Sequence, residues 1–176
     1  VSGGLAEYGR NNICYVAGMG SFLQLVGAFS DLPCSEDLWR EPRMLQQCES
    51  CAACLRCCPS GAIAQDRFLL RAEYCLTYHN EGAGEFPAWI DQSWHHCLVG
   101  CMKCQSLCPE NKAVAKWFED RVEFSEHETA CFVERVPFTR LPRETAAKLQ
   151  SLEINEDYRT LCRNLSMLVS QVTCAA

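Results

Sequence analysis

CESCAACLRCCP, residues 48–59, is the stretch on which the reading of this chain turns. It places Cys48, Cys51 and Cys54 at two intervals of three and closes on Cys58-Pro59. Three thiolates at that interval can wrap a short loop around three irons of a 4Fe-4S cubane, with the loop's backbone N–H groups turned toward the sulfurs. A fourth thiolate so close behind cannot bend back to the same cube, so Cys58 is expected to serve a second one. A later run echoes the first, Cys101-x2-Cys104-x3-Cys108-Pro109 against Cys51-x2-Cys54-x3-Cys58-Pro59, and two such half-modules imply a pseudo-two-fold arrangement. Each run then lends one remote sulfur to its neighbour. Cluster one is assigned Cys48, Cys51, Cys54 and Cys108. Cluster two takes Cys58, Cys101 and Cys104. Its fourth ligand is left open by spacing, because the position three before Cys101 is Leu98; Cys97 lies one residue further back and Cys75 sits between the runs.

The spacing also decides what the 15 cysteines are for. A disulfide framework spreads its cysteines to close long loops, whereas most of these fall in two dense runs. Zinc is served by isolated Cys-x2-Cys pairs, and the triple run with its two Cys-Pro endings departs from that pattern. The total is odd and no charged-then-apolar leader is present, which places the expected compartment in the reducing cytoplasm. Cys57, next to a ligand, is expected to pack rather than ligate. Cys14 and Cys162 read as small core residues, and Cys34, Cys131 and Cys174 show no mutual spacing.

At 176 residues the chain suits one compact domain, or a metal module with flanking structure. Its 22 acidic side chains exceed 16 Lys and Arg for a formal charge of -6, so its surface should repel a phosphate backbone and nucleic acid is not an expected partner. Residues 13–30 (ICYVAGMGSFLQLVGAFS) carry no charge, but Gly18, Gly20, Gly27 and Gln24 weaken a membrane helix and turn signals flank it. No membrane association is expected. Two strands, Asn12 to Val16 and Ser21 to Phe29, joined through Ala17-Gly18-Met19-Gly20, fit better.

The expected organisation is an N-terminal strand-pair segment over 1–44, possessing the look of the end of an upstream domain; a double-cluster domain over 45–114; and a helical segment over 115–176. Helices are expected over Asn111 to Phe118, from Ser125 with Glu128 completing a capping box, and from near Pro142. The last follows Asn155, with Tyr158, Leu161, Cys162, Leu165, Leu168, Val169 and Val172 on one face. That face is expected to lie over the clusters or the strands and keep water out. Trp89, Trp94 and Trp117 read as core or shielding residues. His95 and His96 read as a solvated loop edge.

CESCAACLRCCPSGAI, RAEYCLTYHNE and GCMKCQSLCPENKAV, taken in order, resemble the iron-sulfur portion of the epoxyqueuosine reductase and reductive-dehalogenase-like family. EYGRNNICYVAGMGSFLQLVGAFSDL resembles the glycine-containing strand pair that precedes the clusters there, so the likeness runs from about Leu5 to Ala115. The resemblance implies that Cys75 is the fourth ligand of cluster two, leaving Cys97 as an extra thiol. It implies, too, that the clusters feed a cobalamin in the full-length protein, where the cofactor does the hard chemistry. The family's upstream cobalamin and substrate domain, with its catalytic acid, has no counterpart in these residues, nor do its C-terminal repeats. The resulting expectation is an α+β chain with a bacterial-ferredoxin-like double 4Fe-4S module, a short N-terminal strand pair and a C-terminal helical segment. Such a chain would pass single electrons from a ferredoxin- or flavodoxin-type donor to a redox partner protein or cobalamin centre.

Overall fold

The structure is a computed structural model and describes residues 1–33, 39–117 and 122–174, with side chains described as far as residue 171. Contacts divide the chain into two compact units, Val1–Ala72 with Met102–Phe118, and Glu73–Cys101 with Glu119–Ala176. The architecture is α+β, a two-stranded sheet with six α-helices among the described residues.

In the first unit, β1 (Glu7–Tyr8) pairs antiparallel with β2 (Cys14–Tyr15) in the register Glu7 to Tyr15 and Tyr8 to Cys14. A sheet this short needs outside support. The chain returning at Arg43–Leu45 supplies it: Tyr8 N–H donates to Arg43 O at 2.9 Å and Leu45 N–H to Tyr8 O at 2.9 Å. Leu45 then leads straight into Cys48, so the hairpin is tied to the start of the first cysteine run. The loop between the strands turns on Asn12, whose φ of 60° is the left-handed region that Asn tolerates. Gly9 admits no side chain, since a Cβ there would sit 2.5 Å from both Asn11 Oδ1 and the Tyr15 ring.

The expected strand over Ser21 to Phe29 does not form. The chain makes a bridge between Val16 and Gly20, and then Ser21 is captured by the second cysteine run. Ser21 N–H donates to Asn111 Oδ1 at 2.8 Å, and Asn111 Nδ2 donates to Ser21 Oγ at 2.7 Å. These bonds use the groups a ladder would need, and beyond them Val26, Phe29 and Leu32 stand exposed. The helix expected over Asn111 to Phe118 reduces to one 3-10 turn, Pro109–Asn111, followed by turns; Phe118 lies outside the described residues. Asn111 spends its amide on Ser21 and on Gln105 O at 2.8 Å, the local competition that makes Asn a poor helix former.

The short helices α1 (Ala53–Cys57) and α3 (Lys103–Ser106) occupy matching positions of the two runs and pack on each other. Each run ends the same way. Cys58 has φ -71° and ψ 108°, and Cys108 has φ -71° and ψ 126°. Both precede proline, whose ring denies the helical conformation to the residue before it. The proline therefore swings each terminal cysteine out of its own helix.

The second unit contains α2 (Leu76–Glu81), α4 (Glu126–Val133), α5 (Arg143–Ser151) and α6 (Tyr158–Cys174). The capping box that opens α4 is present: Glu128 N–H donates to Ser125 Oγ at 3.2 Å and Ser125 N–H to Glu128 Oε2 at 2.7 Å. Glu128 also accepts from Lys148 Nζ at 2.8 Å and Thr145 Oγ1 at 3.0 Å, bolting α4 to α5. The apolar face of α6 is real, but its partners correct the expectation. Tyr158, Leu161 and Cys162 pack with Cys131, Phe132, Leu141 and Leu149, a core made within the helical segment itself. Val169 is exposed, and the side chain of Val172 lies outside the described residues.

The polar residues of α6 reach the loop between Cys75 and Cys101. Arg163, buried without a carboxylate partner among the described residues, donates to His79 O at 2.7 Å, Gly82 O at 3.0 Å and Asn80 O at 3.3 Å, and to Gly84 O. Asn164 Nδ2 donates to Asn80 O at 2.8 Å and Leu98 O at 2.7 Å, while Asn80 Nδ2 reaches Gly100 O at 2.6 Å. This clamp fixes the loop between Cys75 and Cys101.

Two outcomes follow. Lys148 first, then the Ser125 N–H, hold the Glu128 carboxyl near 2 instead of the ordinary 4.5. A depressed carboxyl stabilises the fold above about 4.5, and that contribution drains away as pH falls toward 2. E128Q keeps an acceptor for the capping box but loses the charge, so the wild-type advantage over E128Q in urea melts should shrink across that interval. Arg163→Met leaves several buried carbonyls without donors and should lower stability by about 3 kcal/mol, with R163K recovering less than half. Chevron or equilibrium denaturation measures both.

Candidate metal centre

The first unit gathers four of the predicted ligands. Cys48 opens the site in a 3-10 turn over Gln46–Glu49, Cys51 follows at its end, Cys54 lies on α1, and Cys108 comes from the extended residue before Pro109. Cys48 and Cys54 are buried, and the other two are half-buried. Their sulfurs sense one another. Burial is the largest influence raising the Cys48 thiol, and Cys108 and Cys51 add to it. Burial pushes Cys54 up to about 11, with Cys48, Cys57 and Cys108 contributing. Thiols that resist ionisation in each other's company need positive charge or metal before they can share a site as thiolates.

The surroundings offer that compensation. The Arg10 backbone N–H faces the Cys48 sulfur, and the Leu55 N–H faces the Cys54 sulfur. The Arg10 guanidinium donates to Cys48 O at 2.6 Å, and its buried Nε–H has no hydrogen-bond partner in the structure. An orphaned cationic donor beside Cys48, whose sulfur senses those of Cys51, Cys54 and Cys108, fits a polynuclear group carrying negative charge and many acceptor sulfurs. A cavity of about 180 Å³ opens there, bordered by Arg10, Glu49, Ser50, Cys51 and Leu55. Among the described residues, no three His, Cys, Asp or Glu converge as a single ion requires.

The other predicted ligands fall in both units. Cys58 and Cys104 belong to the first. The Cys58 sulfur lies 3.7 Å from Ser60 Oγ, and Cys104 sits on α3. Cys75, Cys97 and Cys101 belong to the second. Cys75 is the extended N-cap of α2, with φ -71° and ψ 125°, close to the conformation of Cys58 and Cys108. The Cys97 thiol donates to Gly100 O at 3.0 Å. The half-buried Cys57 donates its thiol to Cys54 O at 3.4 Å. Cys131 and Cys162 are buried in the helical core, Cys34 lies outside the described residues, and so does the side chain of Cys174.

Several residues near these cysteines differ from their sequence reading. His95 is 2% exposed, not solvated; its ring stacks edge-on to Phe86 at 4.4 Å, and burial followed by the nearby Arg163 charge holds it below its ordinary pKa. His96 is the solvated member, its ring nitrogens 3.0 Å from Trp94 O and 2.5 Å from Cys101 O. Trp89 and Trp117 are exposed. Trp89 joins Tyr74, His79 and Trp94 in an aromatic cluster flanking Cys75. Arg10 and Tyr15 escaped the sequence reading altogether, because nothing in the spacing of a hairpin marks its residues as neighbours of a cysteine run some forty positions away.

Comparison with known proteins agrees with this chemistry. The model of the 4Fe-4S double cluster binding domain matches residues 47–111, which contain all nine cysteines considered as ligands. Epoxyqueuosine reductase from Gloeobacter violaceus is 30% identical over 152 residues, covering 85% of this chain and 44% of that protein. The epoxyqueuosine reductase of Lactococcus garvieae is 30% identical over 120 residues, 68% of this chain and 33% of its own length. That of Bacillus subtilis is 28% identical over 109 residues, 62% of this chain and 27% of the relative. The chain thus spans less than half the length of these curated relatives. No solved structure matches it significantly. Among the described residues no helix is long and apolar enough to cross a membrane. Residues 47–111 thus carry a 4Fe-4S double cluster binding domain, and the chain is similar to the corresponding portion of epoxyqueuosine reductases.

Proposed function

We propose that this chain is a low-potential electron-transfer module whose two 4Fe-4S clusters pass single electrons from a ferredoxin- or flavodoxin-type donor to a redox partner, a cobalamin-type centre being the acceptor favoured by the family likeness. The observation that carries the reading is the gathering of Cys51, Cys54 and Cys108 about the buried Cys48 sulfur with an unpartnered cationic donor beside them. Those four hold cluster one. By the exchange of remote sulfurs between the runs, Cys58, Cys75, Cys101 and Cys104 hold cluster two, with Cys97 the alternative to Cys75. A bound 4Fe-4S cluster supplies reversible one-electron chemistry.

The residues of this chain supply the rest. Burial of Cys48 and Cys54 opposes extra negative charge and so favours a low potential, while N–H groups aimed at sulfur limit that effect. The pre-proline backbone at Cys58 and Cys108 directs one sulfur out of each run. A reducing cytoplasm would keep all of these thiols competent for assembly.

A second reading makes the chain part of a corrinoid-dependent reductase, and the names of its relatives favour it. Cobalamin added to the longer polypeptide separates the two: retention with substrate-dependent oxidation supports the reductase, and no retention leaves plain electron transfer.

Anaerobically purified protein should be brown, with about eight iron and eight sulfide per chain. Cys108→Ser and Cys58→Ser should each remove one cluster and leave about four iron, each variant losing a different electron paramagnetic resonance signal. Colourless protein loaded with zinc, or clusters that dithionite cannot reduce, would remove the basis for the proposal.

A further inference from the structure

We propose that the N-terminal hairpin is the tuning element of cluster one: Arg10 and Tyr15 place a positive charge and hydrogen-bond donors on Cys48 and Cys108, raising the reduction potential of that cluster alone. The inference rests on the assignment of Cys48, Cys51, Cys54 and Cys108 to cluster one.

Arg10 sits in the loop joining β1 to β2 and holds Cys48 from two sides. Its backbone N–H faces the Cys48 sulfur, and its guanidinium donates to the Cys48 carbonyl at 2.6 Å. The arginine's remaining buried donor, Nε–H, has no partner among the described residues. A cation left with an unused hydrogen in a buried position is poorly placed unless an acceptor belongs there. Cluster and thiolate sulfurs are such acceptors. No carboxylate lies within salt-bridge distance of Arg10 among the described residues, though Glu49 borders the same cavity.

Tyr15 acts on the opposite ligand. It is 3% exposed and packs with Leu45 and Cys48, with Cys108 against the same cluster of side chains. Asn11 Nδ2 donates to the Tyr15 oxygen at 3.0 Å, which occupies its lone pair and leaves the hydroxyl hydrogen free to turn elsewhere. The Cys108 sulfur lies in its reach. The hairpin is held in place by features that have no other evident purpose. Gly9 gives the room for Asn11 and Tyr15, and Asn12 ties the loop tip to Phe68 O at 2.9 Å and to Leu70 N–H.

A reduced cluster carries one more negative charge than an oxidised one, so a cation and N–H or O–H donors at its ligands favour reduction. The contacts of Arg10 and Tyr15 fall on Cys48 and Cys108, both assigned to cluster one, and cluster two takes its ligands elsewhere. Its couple is therefore the internal reference.

The test is a potentiometric titration of the full chain, purified anaerobically with both clusters loaded and followed by electron paramagnetic resonance. The couple of cluster one is identified as the signal missing in Cys108→Ser. In Arg10→Gln that couple should move to lower potential, with at least a tenfold smaller reduced-to-oxidised ratio at a fixed potential, ~59 mV for one electron. Tyr15→Phe should move it in the same direction by a smaller, severalfold change. Arg10→Lys, which keeps the charge but lacks the Nε donor, should fall between wild type and Arg10→Gln. Cluster two should stay in place throughout. Full iron content with unmoved potentials in both Arg10→Gln and Tyr15→Phe overturns the inference, and so does an equal shift of both couples. Where Arg10→Gln fails to load, Tyr15→Phe and Arg10→Lys decide, since unmoved potentials in those two overturn it as well. Wild-type protein without iron would instead overturn the assignment on which the inference stands, and iron content tells the two failures apart.

Discussion

A buried sulfur that must bear negative charge is the constraint around which the first unit is arranged. Cys48 and Cys54 are buried, and burial first, with neighbouring cysteines next, drives both thiols toward the neutral form. Neutral thiols are poor ligands, so the fold has to bring charge and donors to them. This explains why a sheet of four paired residues is worth keeping. It is too small to stabilise anything by itself, yet its loop delivers Arg10 and its second strand delivers Tyr15. The Tyr8 bonds to Arg43 and Leu45 then fix the distance between that loop and the run.

The second unit answers a different need with different means. Its loop from Cys75 to Cys101 has little regular structure beyond α2, and an irregular loop leaves carbonyls to be satisfied. Arg163 and Asn164 meet that need from inside α6. Arg163 also lies over the Phe86 ring at 4.0 Å, so its charge is shared between carbonyl oxygens and an aromatic face. A planar fork with five hydrogens suits such a place better than a lysine could. The apolar face of α6, meanwhile, is used up in the core with Phe132 and Leu149.

What could be read from the sequence was local or covalent in origin. Ser125 and Glu128 are three residues apart, and their capping box depends on nothing beyond that turn. The pre-proline cysteines are extended because the next ring forbids anything else. The cysteine runs announced a cluster domain through spacing alone. Ser21 to Phe29, by contrast, has the composition of a strand and is prevented from being one by Asn111, ninety residues away. Arg163 and Asn164 fall among the polar positions of an amphipathic helix and drew no reading, yet Asn164 is 1% exposed. Periodicity separates apolar from polar, and it has no means of telling a solvated polar residue from one that satisfies a buried loop.

The two half-modules show how far a repeat can persist under unequal demands. At the equivalent positions after each Cys-Pro pair, Gly61 N–H donates to Cys58 O at 3.3 Å and Asn111 N–H to Cys108 O at 3.0 Å. The turn is retained; the residue that makes it is not. Gly61 takes φ +67° and a side chain there would meet open space, whereas Asn111 is 1% exposed and holds Ser21. The entry to each helix has diverged too, with Ala52 at φ -126° and Met102 in the left-handed region at φ 54°. Local sulfur geometry is common to both halves and has been kept. The surroundings differ, because the N-terminal segment meets the first run through Arg10 and Leu45 and the second through Ser21, and Asn111 stands in place of a glycine where the second contact is made.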